Sequence, residues 1–146
     1  MKSILSLFIC SSLSLALHAV SKNHKQSNTP EVLKNWTIED HSANARISVS
    51  EDTFEITAPK GFTLWYNRRL TGEYEIRYRV KVLMQSGKYD RLSDLNCFWA
   101  ANDPQNPQDF FARSKWRDGI FQHYKTLNLF YVGYGGNHNS PTTDIA

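Results

Sequence analysis

Asp94 and Asn96 stand two residues apart in the stretch Leu92-Ser93-Asp94-Leu95-Asn96-Cys97-Phe98-Trp99. In a strand, side chains alternate between faces, so Asp94, Asn96 and Phe98 share one face and Leu95, Cys97 and Trp99 the other. A carboxylate and an amide beside an aromatic ring suit a sugar, which offers hydroxyls at its edge and C–H groups on its faces. The same polar pair also suits hydrogen bonding to backbone or to neighbouring strands. Arg91 lies just before this stretch, and Arg113 opens Arg113-Ser114-Lys115-Trp116-Arg117-Asp118. Either guanidinium can fork onto a carboxylate, that of a uronic acid or that of Asp94, or form a plain surface ion pair. His123 precedes a run that carries Tyr131 and Tyr134. A histidine and a tyrosine are a base and an acid for a lyase. The catalytic candidates are therefore Asp94, His123 and Tyr131. The substrate-binding candidates are Arg91, Asn96, Phe98, Arg113, Tyr134 and Asn137.

Other chemistries fit less well. Gly133, Gly135 and Gly136 permit close backbone approach before Asn137, but the Lys and the following helix of a phosphate loop are missing. Asp90 with Asp94, or Asn102, Asp103, Asn106 and Asp109, could offer oxygens to calcium, yet neither set has the spacing of a calcium loop. Asx residues beside prolines are turn formers. No metal and no cofactor is expected, and Cys97 reads as a small buried hydrophobe.

The elements that must hold these residues are mostly strands. Residues 46–49 and 54–58 read as a hairpin across Ser50-Glu51-Asp52-Thr53. Residues 62–66 form a third strand after the punctuation of Pro59-Lys60-Gly61. In residues 73–83, Tyr74, Ile76, Tyr78, Val80 and Val82 alternate with Glu73, Glu75, Arg77, Arg79 and Lys81. That alternation predicts a long antiparallel strand with one buried face. Residues 92–101 and 127–134 complete the set, residues 102–109 are a loop, and residues 110–124 fit a short helix or an ordered loop. Ordered structure is expected to start near residues 32–38, with Trp36 as an anchor. Six strands and almost no helix predict an all-β antiparallel sandwich or barrel.

The start of the chain carries an address. Lys2 precedes an apolar run over residues 4–17 that closes on Leu17-His18-Ala19. This is the order of a cleavable Sec-type leader, and the run is shorter than the roughly 20 residues that span a bilayer. The leader is expected to occupy residues 1–19, a polar linker residues 20–31 and the folded domain residues 32–146. The product would be periplasmic or extracellular. Removing the leader removes Cys10 and leaves Cys97 alone, so no intramolecular disulfide is expected. The charges, 17 Lys plus Arg against 14 Asp plus Glu, are dispersed and argue against nucleic acid as the partner. No second apolar segment follows, so no membrane span is expected.

Gly61-Phe62-Thr63-Leu64-Trp65-Tyr66 and Gly72-Glu73-Tyr74-Glu75-Ile76 resemble the opening strands of concanavalin A-like lectin/glucanase sandwiches. The run 90–99, Phe111-Ala112-Arg113-Ser114 and the run 131–137 resemble one uncharacterised exported family of that superfamily, found among bacterial polysaccharide-degradation proteins. The resemblance covers roughly residues 32–143; its first motif is shared with neighbours, including a family acting on 3-keto-sugar glycosides. It implies a two-sheet jelly roll whose concave face meets carbohydrate. It also implies a longer domain, with further strands after Asn137, so a C-terminal truncation is expected. Glucanases of this superfamily use paired glutamates on one strand, whereas the comparable strand here offers Asp94 and Asn96. A retaining mechanism needs two carboxyl groups about 5 Å apart, and the sequence names no second one. The resulting expectation is an exported carbohydrate-active protein, a hydrolase or lyase, or else a non-catalytic carbohydrate-binding module or a structural sandwich.

Overall fold

The computed structural model describes residues 3–9, 14–16, 31–90, 95–134 and 143–145, with side chains over residues 31–90 and 95–134. The strands are β1 (Ser3–Ile9), β2 (Ser14–Ala16), β3 (Trp36–Asp40), β4 (Arg46–Ser50), β5 (Thr53–Thr57), β6 (Phe62–Leu70), β7 (Val82–Leu83), β8 (Leu95–Asn102), β9 (Asn128–Tyr134) and β10 (Thr143–Ile145). Every strand pair is antiparallel. One sheet has the order β10-β9-β8-β1-β6-β3 and the other β4-β5-β2-β7. Helix is confined to short pieces, so the fold is all-β. Among the described residues no helix is long and apolar enough to cross a membrane.

Local sequence explains the hairpin. Arg46 faces Thr57 and Ser50 faces Thr53, which leaves a two-residue turn at Glu51-Asp52. Glu51 has φ 51°, the left-handed conformation that such a turn asks of its first residue. Ile47, Phe54 and Ile56 then point at Phe62, Leu64 and Leu95 of the other sheet, and together with Trp36 they form the core between the sheets. Trp36 is anchored there as expected, its ring 5.6 Å from Phe54 and 5.1 Å from Tyr66.

In β6 all of Phe62, Thr63, Leu64 and Trp65 are buried. A strand buried on both faces needs cover on both. Phe62 and Leu64 face the second sheet, while Thr63 and Trp65 face a layer built from residues 103–127. This layer holds a 3-10 turn (Phe110–Arg113) and two one-turn helices, α1 (Ser114–Arg117) and α2 (Phe121–Tyr124). The preceding loop is a chain of turns, as its Asx and Pro content predicts. Asp103 accepts from the Gln105 N–H at 2.9 Å, and Asp109 caps the 3-10 turn at the Phe111 N–H at 2.9 Å. Between α1 and α2, Gly119 has φ 68° and lies so close to Gly61 that a Cβ on either would overlap the other's carbonyl. Glycine at both positions lets the layer dock on the sheet.

Residues 73–83 depart from expectation. Only Val82–Leu83 pair with another strand, β2. The alternation survives only in part: Ile76, Val80 and Val82 are half-buried and the five charged residues are exposed, but Tyr74 and Tyr78 of the expected buried face are exposed as well. A period-two pattern fixes which side chains face inward, but a ladder also needs a strand alongside. None of the described strands runs beside residues 73–81.

Two parts of the expected export leader are strands here. β1 lies between β6 and β8, with Leu7 facing both Leu64 and Cys97, and β2 lies between β5 and β7. The cut site at Ala19 and residues 20–30 of the expected 20–31 linker lie outside the described residues, and Glu31 begins a 3-10 turn (Glu31–Asn35).

Candidate functional site

The register of β8 on β9 assembles the site. Asn96 faces Gly133 and Phe98 faces Tyr131, so all four share the face turned away from the second sheet. Leu95 and Cys97 point the other way, as their alternation predicts, and both are buried. The Tyr131 hydroxyl reaches back across the strands and donates to Asn96 Oδ1 at 3.1 Å. Gly133 makes this possible: a Cβ there would overlap the Tyr131 hydroxyl and stand 3.1 Å from Asn96 Oδ1. Asn96 is fully buried and a buried amide needs its hydrogen bonds satisfied, so it serves as a fixed acceptor that aims the phenol.

Phe98 belongs to the packing and not to the exposed surface. It is 2 % exposed. Its ring lies 5.9 Å from Trp65, 5.5 Å from Tyr124, 5.6 Å from Tyr131 and 6.4 Å from Phe121. A sugar does not reach it in this structure, because residues 110–124 cover it. Its part in the site is to support the Tyr131 ring from beneath. Tyr134 is separated from Tyr131 by strand parity. It faces Leu95 and Thr143, on the opposite side of the sheet from Tyr131, and is exposed there.

Arg113 and His123 meet on Trp116. The Arg113 guanidinium lies 3.9 Å from the indole centroid. The His123 ring stacks on the same indole at 4.2 Å with an interplanar angle of 9°. Both groups pack on the indole, which stays 42 % exposed. Arg113 Nη1 is also 3.3 Å from both oxygens of Asp103, so this nitrogen is engaged inside the protein. His123 Nδ1 donates to the Trp116 carbonyl at 2.7 Å. A carbonyl only accepts, which places the proton of neutral His123 on Nδ1 and its lone pair on Nε2. Arg91, Asp94 and Asn137 lie outside the described residues.

A second polar group, on the same face of the sheet, was not found by sequence reasoning. Glu39 of β3 faces Thr63 and is 2 % exposed, whereas its apolar neighbour Ile38 is 43 % exposed. Arg117 Nε donates to Glu39 Oε1 at 2.9 Å and the Ser114 hydroxyl does so at 2.8 Å. The Tyr124 hydroxyl donates to Oε2 at 2.5 Å and lies 2.7 Å from the Thr63 hydroxyl. Burial first, and then the Glu39 carboxylate, push the Tyr124 phenol far above its ordinary pKa. Arg117 Nη1 donates to the Phe110 carbonyl at 3.0 Å and stands 3.6 Å from Asp103 Oδ2. Two carboxylates and two guanidiniums thus balance beneath the covering layer. This group holds residues 110–124 on the sheet and keeps its carboxylates from solvent. The signal was Glu39 at the inward position of Trp36-Thr37-Ile38-Glu39-Asp40, but its partner lies 78 residues away. Among the described residues, no three His, Cys, Asp or Glu side chains converge to hold a metal.

Residues 56–143, more than half of the chain, match the model of a domain of unknown function, DUF6250. The chain belongs to the DUF6250 family. The matched DUF6250 region contains Asn96, Arg113, His123 and Tyr131, whereas Glu39 precedes it. Searches of curated proteins and of solved structures return no match.

Proposed function

We propose that this protein is exported and carbohydrate-active, with a concanavalin A-like jelly roll whose Asn96–Tyr131 face meets an oligosaccharide or polysaccharide. One observation carries the reading: Gly133 leaves room for the Tyr131 phenol to be held on the Asn96 amide. A phenol positioned on a buried amide can exchange a proton with a glycosidic linkage once substrate displaces that hydrogen bond, in hydrolysis or in elimination. Asp94, two residues before Asn96 in the sequence, is proposed as the carboxylate partner on strand alternation alone.

A non-catalytic binding module is the second reading. It is favoured by the state of Glu39, the carboxylate described on the same face, which is sealed by Arg117, Ser114 and Tyr124. The two readings separate in one experiment. The protein is incubated with a panel of glycans, and new reducing ends and unsaturated ends are measured together with binding. An enzyme loses turnover in Tyr131→Phe and Asp94→Asn while it still binds oligosaccharide. A binding module shows affinity with no new ends of either kind. Activity left unchanged by Tyr131→Phe, Asp94→Asn and Asn96→Ala would refute the site.

A further inference from the structure

A cleft of about 680 Å³ opens at the loops that join β3 to β4 and β5 to β6, lined by Ser42, Asn44, Arg46, Thr57, Pro59, Lys60 and Tyr89. Its volume is in the range of small-ligand sites, roughly 300–1,000 Å³. It is a separate place from the Asn96–Tyr131 face: Arg46 and Thr57 are cross-strand partners in the other sheet.

The lining has one sign of charge. Arg46 and Lys60 contribute two cations and no lining residue is a carboxylate. Among the described residues neither cation has an ion-pair partner. A third, Lys88, places its amine 5.3 Å from the Tyr89 ring. The nearest wall is preorganised. The Asp40 carboxylate accepts from the Ser42 N–H at 2.9 Å, the Ser42 hydroxyl at 2.6 Å and the Ala45 N–H at 2.8 Å. Those three donors fill most of its roughly four acceptor sites and fix the loop. Asn44 Nδ2 donates to the Ser42 carbonyl at 2.7 Å, which orients the amide. On the opposite side, the Asp90 carboxylate accepts from the Gln85 N–H and closes the loop that presents Tyr89.

The groups divide by task. Two cations without partners suit an anionic substituent. An amide and hydroxyls suit ring hydroxyls. Tyr89 and Pro59 give flat apolar surface for C–H groups. We infer that this cleft binds an acidic saccharide, its carboxylate or sulfate on Arg46 and Lys60 and its ring against Tyr89. The saccharide part rests on the proposed function, while the anion part rests on the cleft alone.

The test uses the full chain and calorimetric titration with four probes: trigalacturonate, a κ-carrageenan tetrasaccharide, neutral maltotriose and inorganic sulfate. Arg46 and Lys60 are exposed, so Arg46→Gln/Lys60→Gln leaves the fold intact, as circular dichroism would verify. The expected result is binding of an acidic oligosaccharide that weakens about tenfold or more in this double variant. Maltotriose binds far more weakly. Preference for trigalacturonate assigns a carboxylate, and preference for the carrageenan fragment a sulfate. Equal affinity in the wild type and the Arg46→Gln/Lys60→Gln variant overturns the inference, and so does maltotriose binding as tightly as the acidic probes. Sulfate binding as tightly as the sulfated saccharide overturns the saccharide part. Acidic-probe binding kept in the double variant, with the probe cleaved by the wild type and not by Tyr131→Phe, overturns the inference and leaves the proposed function standing. Binding that depends on Arg46 and Lys60, with no glycan bound or cleaved at the Tyr131 face, leaves the inference and removes the other reading.

Discussion

Arg117→Met removes the guanidinium at the centre of the buried polar group while keeping most of the side-chain volume. Arg117, Glu39 and Asp103 have no exposed side-chain surface. The wild-type guanidinium lies 2.8 Å from Glu39 Oε1 through Nη2, in addition to its Nε bond. It also lies 4.4 Å from the Phe110 ring centroid. Without it, Glu39 keeps Ser114 and Tyr124 as donors, Asp103 keeps Arg113 and the Gln105 N–H, and the Phe110 carbonyl loses the Arg117 bond. Removing one member of a buried ion pair costs about 3–5 kcal/mol, because the remaining charge stays buried. For a chain of this size each kcal/mol moves Tm by about 4 °C, so the midpoint should fall by roughly 12–20 °C. Replacing both partners is different: Glu39→Leu/Arg117→Met leaves no lone charge at Glu39 and should recover about 2–3 kcal/mol relative to the sum of the single variants. The assay is urea unfolding followed by tryptophan fluorescence, since Trp65 is fully buried and lies 5.9 Å from Tyr124. A loss below about 1 kcal/mol in Arg117→Met, or strictly additive single variants, would refute the account of how the covering layer is held.

Three further outcomes follow from the same structure. Gly133→Ala should push the Tyr131 phenol off Asn96 and cost about 1–3 kcal/mol by overpacking, measured by urea unfolding; a Tyr131→Leu background should tolerate it, and equal cost in both backgrounds would contradict the steric argument. Stability should fall at alkaline pH: burial pushes the Cys97 thiol up, and burial followed by Cys97 pushes Tyr78 from 10.0 to about 12. The folded state then holds protons that the unfolded state releases, so this stability is whole below the ordinary pKa values and is lost as pH rises through the folded ones. Tyr78→Phe should flatten the fall between pH 10 and about 12, read from midpoints across an alkaline series, and an unaltered slope counts against it. Deleting residues 1–19 should remove β1 and β2 and open the edges of β6 and β8. Hydrogen exchange should then quicken at residues 62–70 and 95–98, and unchanged protection there would exclude β1 from the folded chain.

Much of the fold was written locally. The hairpin of β4 and β5 follows from period-two alternation around a polar turn, and β9 follows from an apolar run after Thr126. The loop over residues 103–109 follows from Asx side chains that bond their own backbone two residues on. Cys97 was legible as a buried thiol because it alternates with Asn96 on a strand. The split between Tyr131 and Tyr134 was equally available, since three residues along a strand is an odd step and changes face. The shared face of Asn96 and Phe98 was legible too. What could not be read was that Phe98 is roofed: its burial depends on Phe121 and Tyr124, more than 20 residues further along the chain.

The sequence by itself determined the class of fold, the strands whose turns are adjacent, and which side chains of each strand point together. These depend on backbone geometry within a few residues. Tertiary structure alone decided the partners. It set Glu39 against Arg117 and Tyr124, turned Arg113 and His123 onto Trp116, and left residues 73–81 extended without a ladder. It also brought Tyr131 onto Asn96, a bond that depends on the register of β8 against β9 and on the missing side chain of Gly133. Charge pairing and ring stacking act through space, and no short-range pattern along the chain records which distant residue will arrive.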